Sequence, residues 1–166
     1  MSIRILTNSD AAAFRALRLR ALQEHPEAFT SSFEEDARKP LSATEQRIAG
    51  ASGNVFWGAF ADDEIRGMIG LTRDPRAKAR HTADIVAMYV APELGRRGLA
   101  RALLQAAIDH ARSEAQLEQL VLSVTRTNEA AAKLYKSAGF VTFGLEPRAI
   151  KVEGTYFDKE HMILFL

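Results

Sequence analysis

Apolar positions along the chain change period several times, and the changes mark the elements. Ile3 to Leu6 alternates like a short strand. Asn8, Ser9 and Asp10 offer caps for a helix over Ala11 to Glu24, whose Phe14, Leu17, Ala21 and Leu22 fall at helical spacing; Pro26 stops it. Glu27 to Pro40 is mixed and polar, with Phe29 and Phe33 as apolar anchors, and a second helix is predicted over Ser42 to Ala51. Val55 to Ala61 and Ile65 to Arg73 read as two strands of a hairpin around Asp62-Asp63-Glu64. After a basic connection, His81 to Val90 is a longer strand rich in apolar and β-branched residues, ended by Pro92. A helix follows over Gly98 to Ala115, with Leu99, Leu103, Ala107 and Ala111 on one stripe. Leu120 to Val124 is a buried type of strand. Thr127 and Asn128 cap a helix over Glu129 to Ala138, and Gly139 closes it. Val141 to Phe143 and Met162 to Leu166 are predicted as the last strands, with a loop carrying Glu146, Pro147, Arg148, Gly154 and Asp158 between them. Runs of strands beside βα units predict an α/β (α+β) fold, a mixed sheet covered by helices.

At 166 residues the chain suits a single domain over 1–166, with no internal repeat or linker. No apolar stretch is long enough to span a membrane, and Met1 to Thr7 lacks a secretory apolar core. The 22 basic and 21 acidic residues nearly cancel and form no long basic run, which argues against nucleic-acid and membrane partners. The absence of cysteine excludes disulfides and thiol nucleophiles in this sequence, and fits a cytoplasmic location. His25, His81, His110 and His161 show no metal-ligand spacing, so no metal is expected. His81 and His161 lie on elements that could reach an acceptor pocket.

Chemistry concentrates in the loop from Val90 to Leu104. A strand runs into a Gly- and Arg-rich turn that opens a helix, where the first amides are unpaired and the helix dipole is positive. Gly98 and the small Ala100 let an anion approach the backbone, and Arg96, Arg97 and Arg101 add charge, as a diphosphate site requires. The alternative is a surface loop of solvated arginines. The segment is neither a Walker loop nor a dinucleotide fingerprint, because both glycine spacings are missing.

A second motif follows from Asn128: Asn-Glu-Ala-Ala-Ala-Lys-Leu-Tyr-Lys-Ser-Ala-Gly-Phe. The two segments together resemble the GNAT superfamily of N-acetyltransferases. Gly95 to Ala100 is similar to its acyl-CoA loop, Gln/Arg-x-x-Gly-x-Gly/Ala, with Gly98 and Ala100 matching. Gly95 stands where the family has Gln or Arg, so Arg96 or Arg97 would supply that contact. Asn128, Ala131, Leu134, Tyr135, Gly139 and Phe140 match the second block. The resemblance implies a mostly antiparallel seven-stranded sheet with helices on both faces, splayed between strands 4 and 5. It also implies acetyl-CoA as acyl donor, with direct attack by an amine in a ternary complex and no acyl-enzyme. Met88, Tyr89 and Val90 would then hold the pantetheine arm and thioester. Gly98, Leu99, Ala100 and Arg101 would hold the diphosphate, and Asn128, Ala131 and Tyr135 would complete the site. Tyr135 is the candidate acid for the leaving thiolate, because a phenol near pKa 10 matches a thiol. Asp84 is the candidate base, on the position of a glutamate base in the histone-acetylating branch, set by strand alternation on one face with Val86, Met88 and Val90. A turn-ending or Arg80-paired aspartate is the competing reading. Neutralising a lysine-like amine at pH 7 costs about 4.6 kcal/mol and an α-amine near pKa 8 about 1.4 kcal/mol, so a base matters more for the first.

The acceptor side is expected from Phe29, Ser31, Ser32, Phe33, Glu34 and Glu35, whose carboxylates would attract a cationic amine, and from Arg148, Lys151, Tyr156 and Asp158. The favoured acceptor is a small-molecule amine. A protein N-terminus or lysine, and a non-catalytic acyl-CoA sensor, remain as alternatives. The family often dimerises, which leaves a homodimer open.

Overall fold

The computed structural model describes residues 1–50, 53–95, 98–114 and 116–166. Seven strands form one sheet: β1 (Ser2–Ile5), β2 (Val55–Ala61), β3 (Glu64–Arg73), β4 (Thr82–Val90), β5 (Gln119–Thr125), β6 (Val141–Val152) and β7 (Thr155–Phe165), in the order β1-β2-β3-β4-β5-β7-β6. Every neighbouring pair is antiparallel except β4–β5, which is parallel. Among the described residues five α-helices accompany it: α1 (Ala11–Glu24), α2 (Phe33–Arg38), α3 (Leu41–Ile48), α4 (Leu99–Ser113) and α5 (Glu129–Ser137).

The sheet has two covered faces because its inner strands are apolar on both sides. On one face, Leu103, Leu104, Ala107 and Ile108 of α4 pack with Trp57, Ile69, Leu71, Ala83 and Leu120. On the other, Phe14, Leu17 and Ala21 of α1 and Ile48 of α3 pack with Phe56, Met68 and Tyr89. Gly70 makes room for the Phe56 ring, since a Cβ there would lie 2.3 Å from a ring carbon. The β2–β3 turn needs positive φ at both central residues, and Asp62 and Asp63 adopt 52° and 62°.

Three expectations are corrected. Glu27 to Pro40 contains the two-turn helix α2, opened by a capping box in which the Glu35 amide donates to Ser32 Oγ at 3.2 Å and the Ser32 amide to Glu35 Oε2 at 3.1 Å. Six residues are too few to display a helical period. The expected loop between the last strands is mostly strand: β6 runs on to Val152 and β7 starts at Thr155, joined through Glu153 and Gly154. β6 is an edge strand, exposed over most of its length, so it lacks apolar alternation, and it accommodates Pro147 within the register break between Glu146 and Ile150. The third correction lies in β4 and shapes the site. The expected helix ends at Ala51 and Ala115 fall outside the described residues.

Candidate active site

β4 and β5 run as paired neighbours for only three residues. Thr82, Ala83 and Asp84 pair with Gln119, Leu120 and Val121. Beyond Asp84 the strands separate, and β4 from Ile85 to Val90 has no strand partner on that edge among the described residues. The cause is a bulge: Ala87 has a φ of 56°, and the β3–β4 register shifts between Met68 and Gly70. The bulge also reverses side-chain alternation. Ala83 and Ile85 belong to the α4-side core and Ala87 and Tyr89 to the α1-side core. Val86 packs on the α1 side, whereas Met88 and Val90 pack on the α4 side. Asp84, Val86, Met88 and Val90 therefore do not share one face, as unbroken alternation had predicted.

After β4, a 3-10 turn over Pro92–Leu94 and Gly95 lead towards Gly98, which caps α4 with a φ of 75°. A Cβ at Gly98 would meet nothing within 4 Å, so its backbone conformation, not crowding, calls for glycine. The first bond of α4 runs from the Ala102 amide to the Gly98 carbonyl at 3.0 Å. The amides of Leu99, Ala100 and Arg101 precede it, at the positive end of a 15-residue helix.

The open β4 edge and this helix start line one continuous slot. Its larger lobe, about 580 Å³, is bounded by Met88, Tyr89 and Val90, by Gly98 to Arg101, and by Asn128, Ala131 and Leu134 of the α5 region. His25, Glu27, Ala28 and Phe29 close it from the α1 side. A second lobe of about 280 Å³ shares Ala28, Phe29, Met88, Asn128 and Ala131 with the first. It continues past Tyr135 and Ser123 to Arg18, Arg47 and Lys159.

Asn128 caps α5, its Oδ1 accepting from the Ala131 amide at 3.2 Å, while lining both lobes. Tyr135 is 6% exposed, packs edge-on against Phe140 with ring centroids 5.9 Å apart, and makes no hydroxyl hydrogen bond among the described residues. Burial pushes its phenol up to about 12. Tyr89 sends its side chain to the opposite face, where its hydroxyl donates to Glu24; burial, then that bond, raises its pKa.

The slot thus gathers Met88, Tyr89, Val90, Gly98, Leu99, Ala100, Arg101, Asn128, Ala131, Tyr135 and Phe29. Arg96 and Arg97 lie outside the described residues. Asp84 sits where β4 and β5 are still paired and lines neither lobe; partial burial, with Asp74 adding to it, raises its carboxyl above the usual range. Ser32 and Phe33 line a separate groove against Ile150 to Glu153, and Glu35 is engaged in the cap of α2. Arg148 stands on β6 over the Tyr156 ring, 4.9 Å from its centroid, with its amide donating to Asp158 at 2.9 Å. His161 is held at 2.7 Å from Glu146 on the hairpin. Among the described residues, no three His, Asp or Glu side chains gather as a metal site. Among the described residues, no helix is long and apolar enough to cross a membrane.

Arg18, Arg47 and Lys159 escaped the sequence reading. One signal was present: Arg18 lies four residues after Phe14 and three before Ala21, on the buried stripe of α1, and is itself 7% exposed. A charge on an apolar stripe marks a buried polar partner or a cavity.

The sequence model of the acetyltransferase (GNAT) family matches residues 18–140, a range that holds the whole lining of the larger lobe and all of the smaller lobe's lining but Lys159. The chain belongs to the GNAT family. Among curated relatives of this GNAT chain, the spermidine N(1)-acetyltransferase of Vibrio cholerae is 28% identical over 103 residues, 62% of this chain and 60% of that protein. The mycothiol acetyltransferase of Renibacterium salmoninarum is 31% identical over 137 residues, 80% of this chain and 38% of that protein. The chain spans 32% to 60% of the length of the curated relatives it matches. Of solved structures, the GNAT-family acetyltransferase of Streptococcus pneumoniae superposes with a TM-score of 0.91 at 26% identity, covering 99% of this chain and 98% of that one. The yncA protein of Salmonella typhimurium, solved with its cofactor acetyl-CoA, gives 0.83 at 24% identity, covering 100% and 94%. The seven-stranded mixed sheet with its single parallel β4–β5 pair is the GNAT fold that the resemblance implied.

Proposed function

We propose that this chain is an acetyl-CoA-dependent N-acetyltransferase that moves the acetyl group directly onto an amine of a small molecule. The observation that carries this reading is the coincidence of two features. The pairing of β4 with β5 ends at Asp84–Val121, and the edge so opened leads to the left-handed Gly98 and the first turn of α4.

The residues present fit an acyl-CoA. The amides of Leu99, Ala100 and Arg101 face the demands of a diphosphate, and the Arg101 side chain adds charge. The unpartnered edge of β4 offers N–H and C=O groups to an amide-bearing arm, as a missing strand would. When bound, acetyl-CoA supplies an activated acyl thioester. A backbone amide at Met88 or Tyr89 polarises the carbonyl oxygen, the role of an oxyanion donor. Tyr135 lines the smaller lobe and stays protonated far above neutral pH, so it can return a proton to the departing sulfur. Asp84 lies outside the lining, so a base role for it requires a relaying water. The acceptor enters the smaller lobe, which is near the low end of small-molecule pocket volumes and favours a small amine over a protein segment.

Calorimetry with coenzyme A and thiol release from acetyl-CoA across an amine panel test this reading. Binding together with amine-dependent thiol release is expected. Folded protein that ignores coenzyme A at millimolar concentration overturns it, and binding without turnover on any amine would favour a sensor.

A further inference from the structure

The smaller lobe has a charge pattern that an amine alone does not explain. Among the described residues three cationic side chains line it, Arg18 from α1, Arg47 from α3 and Lys159 from β7, and no carboxylate does. Asp36 lies nearby but is shared: its carboxylate takes Arg18 at 3.2 Å and Lys39 at 2.6 Å. Lys159 is 8% exposed, and its ammonium donates to Thr30 Oγ1 at 2.7 Å, a neutral partner. Arg47 makes no ion pair or hydrogen bond among the described residues; its guanidinium is held over the Phe56 ring, 5.2 Å from the centroid. Burial, then the neighbouring Arg18, lower the pKa of Arg47 against the opposing pull of Asp36, and burial lowers that of Lys159 against the opposing pull of Glu146, so at both cations the cost of burial outweighs the nearest carboxylate. Burying charge without a counter-charge is costly, and a cavity that concentrates such cations is complementary to an anion.

We propose that the acceptor is a small amine that also carries an oxyanion, a carboxylate or a phosphonate-type group, held by Arg18, Arg47 and Lys159 while its nitrogen faces the Tyr135 end of the lobe. This rests on the acetyltransferase reading and narrows it. The planar Arg47 fork, fixed on Phe56, suits bidentate recognition of such a group. Thr30, Ser31 and Ser123 line the same lobe and add hydroxyl donors. The site is unsuited to a polycation, because each added ammonium would meet like charge in a partly desolvated space. That separates this chain from the spermidine-acetylating relative and reverses the expectation that Glu34 and Glu35 draw a cationic acceptor. Neither carboxylate lines this lobe.

The test is acceptor-dependent thiol release by the intact protein. The panel pairs α-amino acids with the same amines lacking the carboxylate, and adds an aminoalkylphosphonate and spermidine. Acid-bearing acceptors are expected to exceed their uncharged counterparts at least ten-fold in kcat/KM, and the carboxylate and phosphonate arms tell which oxyanion is preferred. Arg47→Met, which keeps the apolar stem on Phe56, is expected to raise the acceptor KM on the order of ten-fold and leave the acetyl-CoA KM unchanged. Preference for spermidine or for uncharged amines, or no effect of Arg47→Met, overturns the proposal. Should no acceptor turn over, thermal shift of the coenzyme A complex decides. Stabilisation by N-acetyl amino acids or an N-acetyl aminoalkylphosphonate, and not by N-acetyl amines, upholds the proposal; equal or absent stabilisation defeats it. Failure to bind coenzyme A sinks the acetyltransferase reading and this inference together, whereas binding with a cationic preference sinks only this inference.

Discussion

The two lobes of the slot are built from different materials. The larger brings main-chain groups to its ligand: the unpaired edge of β4, a left-handed glycine and the first amides of α4. The smaller brings charged side chains: Arg18, Arg47 and Lys159 come from three elements far apart in sequence. Main-chain groups are the same whatever the residue, so a backbone cradle suits a part of the ligand that never varies, such as a diphosphate and an amide-linked arm. Side chains carry identity, so they suit the part that distinguishes one acceptor from another. The division predicts that substitutions in one lobe leave the constants of the other untouched.

Tyr135, in the lining of the smaller lobe, should show the largest effect. Tyr135→Phe removes only the hydroxyl from a packed ring, so coenzyme A affinity should hold while kcat falls about 10²- to 10⁴-fold, the range for a general acid, in steady-state thiol release. An unchanged kcat would remove Tyr135 from the chemistry. Gly98→Val comes next. A β-branched residue in the left-handed region costs about 1–2 kcal/mol, so coenzyme A affinity measured by calorimetry should drop on the order of ten-fold, with the acceptor KM unchanged. A shift in acceptor KM instead would break the division between the lobes.

The same difference governs what could be read before the fold was known. The coenzyme lobe is local in sequence. The run from Val90 to Leu104 carries strand, turn and helix start in order, and Asn128 to Phe140 adds a capped helix with fixed apolar spacing. Each constraint leaves a residue type behind: glycine for positive φ, a short polar cap, a small residue in the first turn. The acceptor lobe leaves almost none, since Arg47 looks like any helix-surface arginine and Lys159 like any lysine of an exposed hairpin until α3 and β7 are folded together. The bulge was equally silent. Alanine rarely takes positive φ, and nothing in Ala-Asp-Ile-Val-Ala-Met announces that Ala87 does, so one face was read where there are two. The β6–β7 hairpin was half seen because an edge strand exposed over most of its length has no buried face to impose alternation.

Tyr135 also gives the smaller lobe a pH signature. Its phenol titrates near 10 when unfolded and is pushed up to about 12 by burial in the fold. Between those values the unfolded chain holds fewer protons than the folded one, so this contribution to stability is complete below pH 10 and is lost as pH rises towards 12. The loss should amount to roughly 2 kcal/mol, and denaturant midpoints of the native protein should fall with pH in that window more steeply than those of Tyr135→Phe. Parallel slopes would mean that the hydroxyl is better solvated than its 6% exposure indicates.

The smallest effect should come from Ala87, whose bulge parts the strands between the lobes. Ala87→Gly relieves about 1–2 kcal/mol of left-handed strain. Against this, glycine loses roughly 0.5–1 kcal/mol in chain entropy, and the buried methyl takes with it about 0.8 kcal/mol of apolar burial. The terms oppose and nearly cancel, so stability should change by less than about 1 kcal/mol in denaturant unfolding, with coenzyme A affinity and acceptor KM both retained. An ordinary extended alanine would lack the first term and would lose about 1–2 kcal/mol on the same change. A loss of that size would show that Ala87 is not held in the left-handed region, and the separation of β4 from β5 would then need another cause.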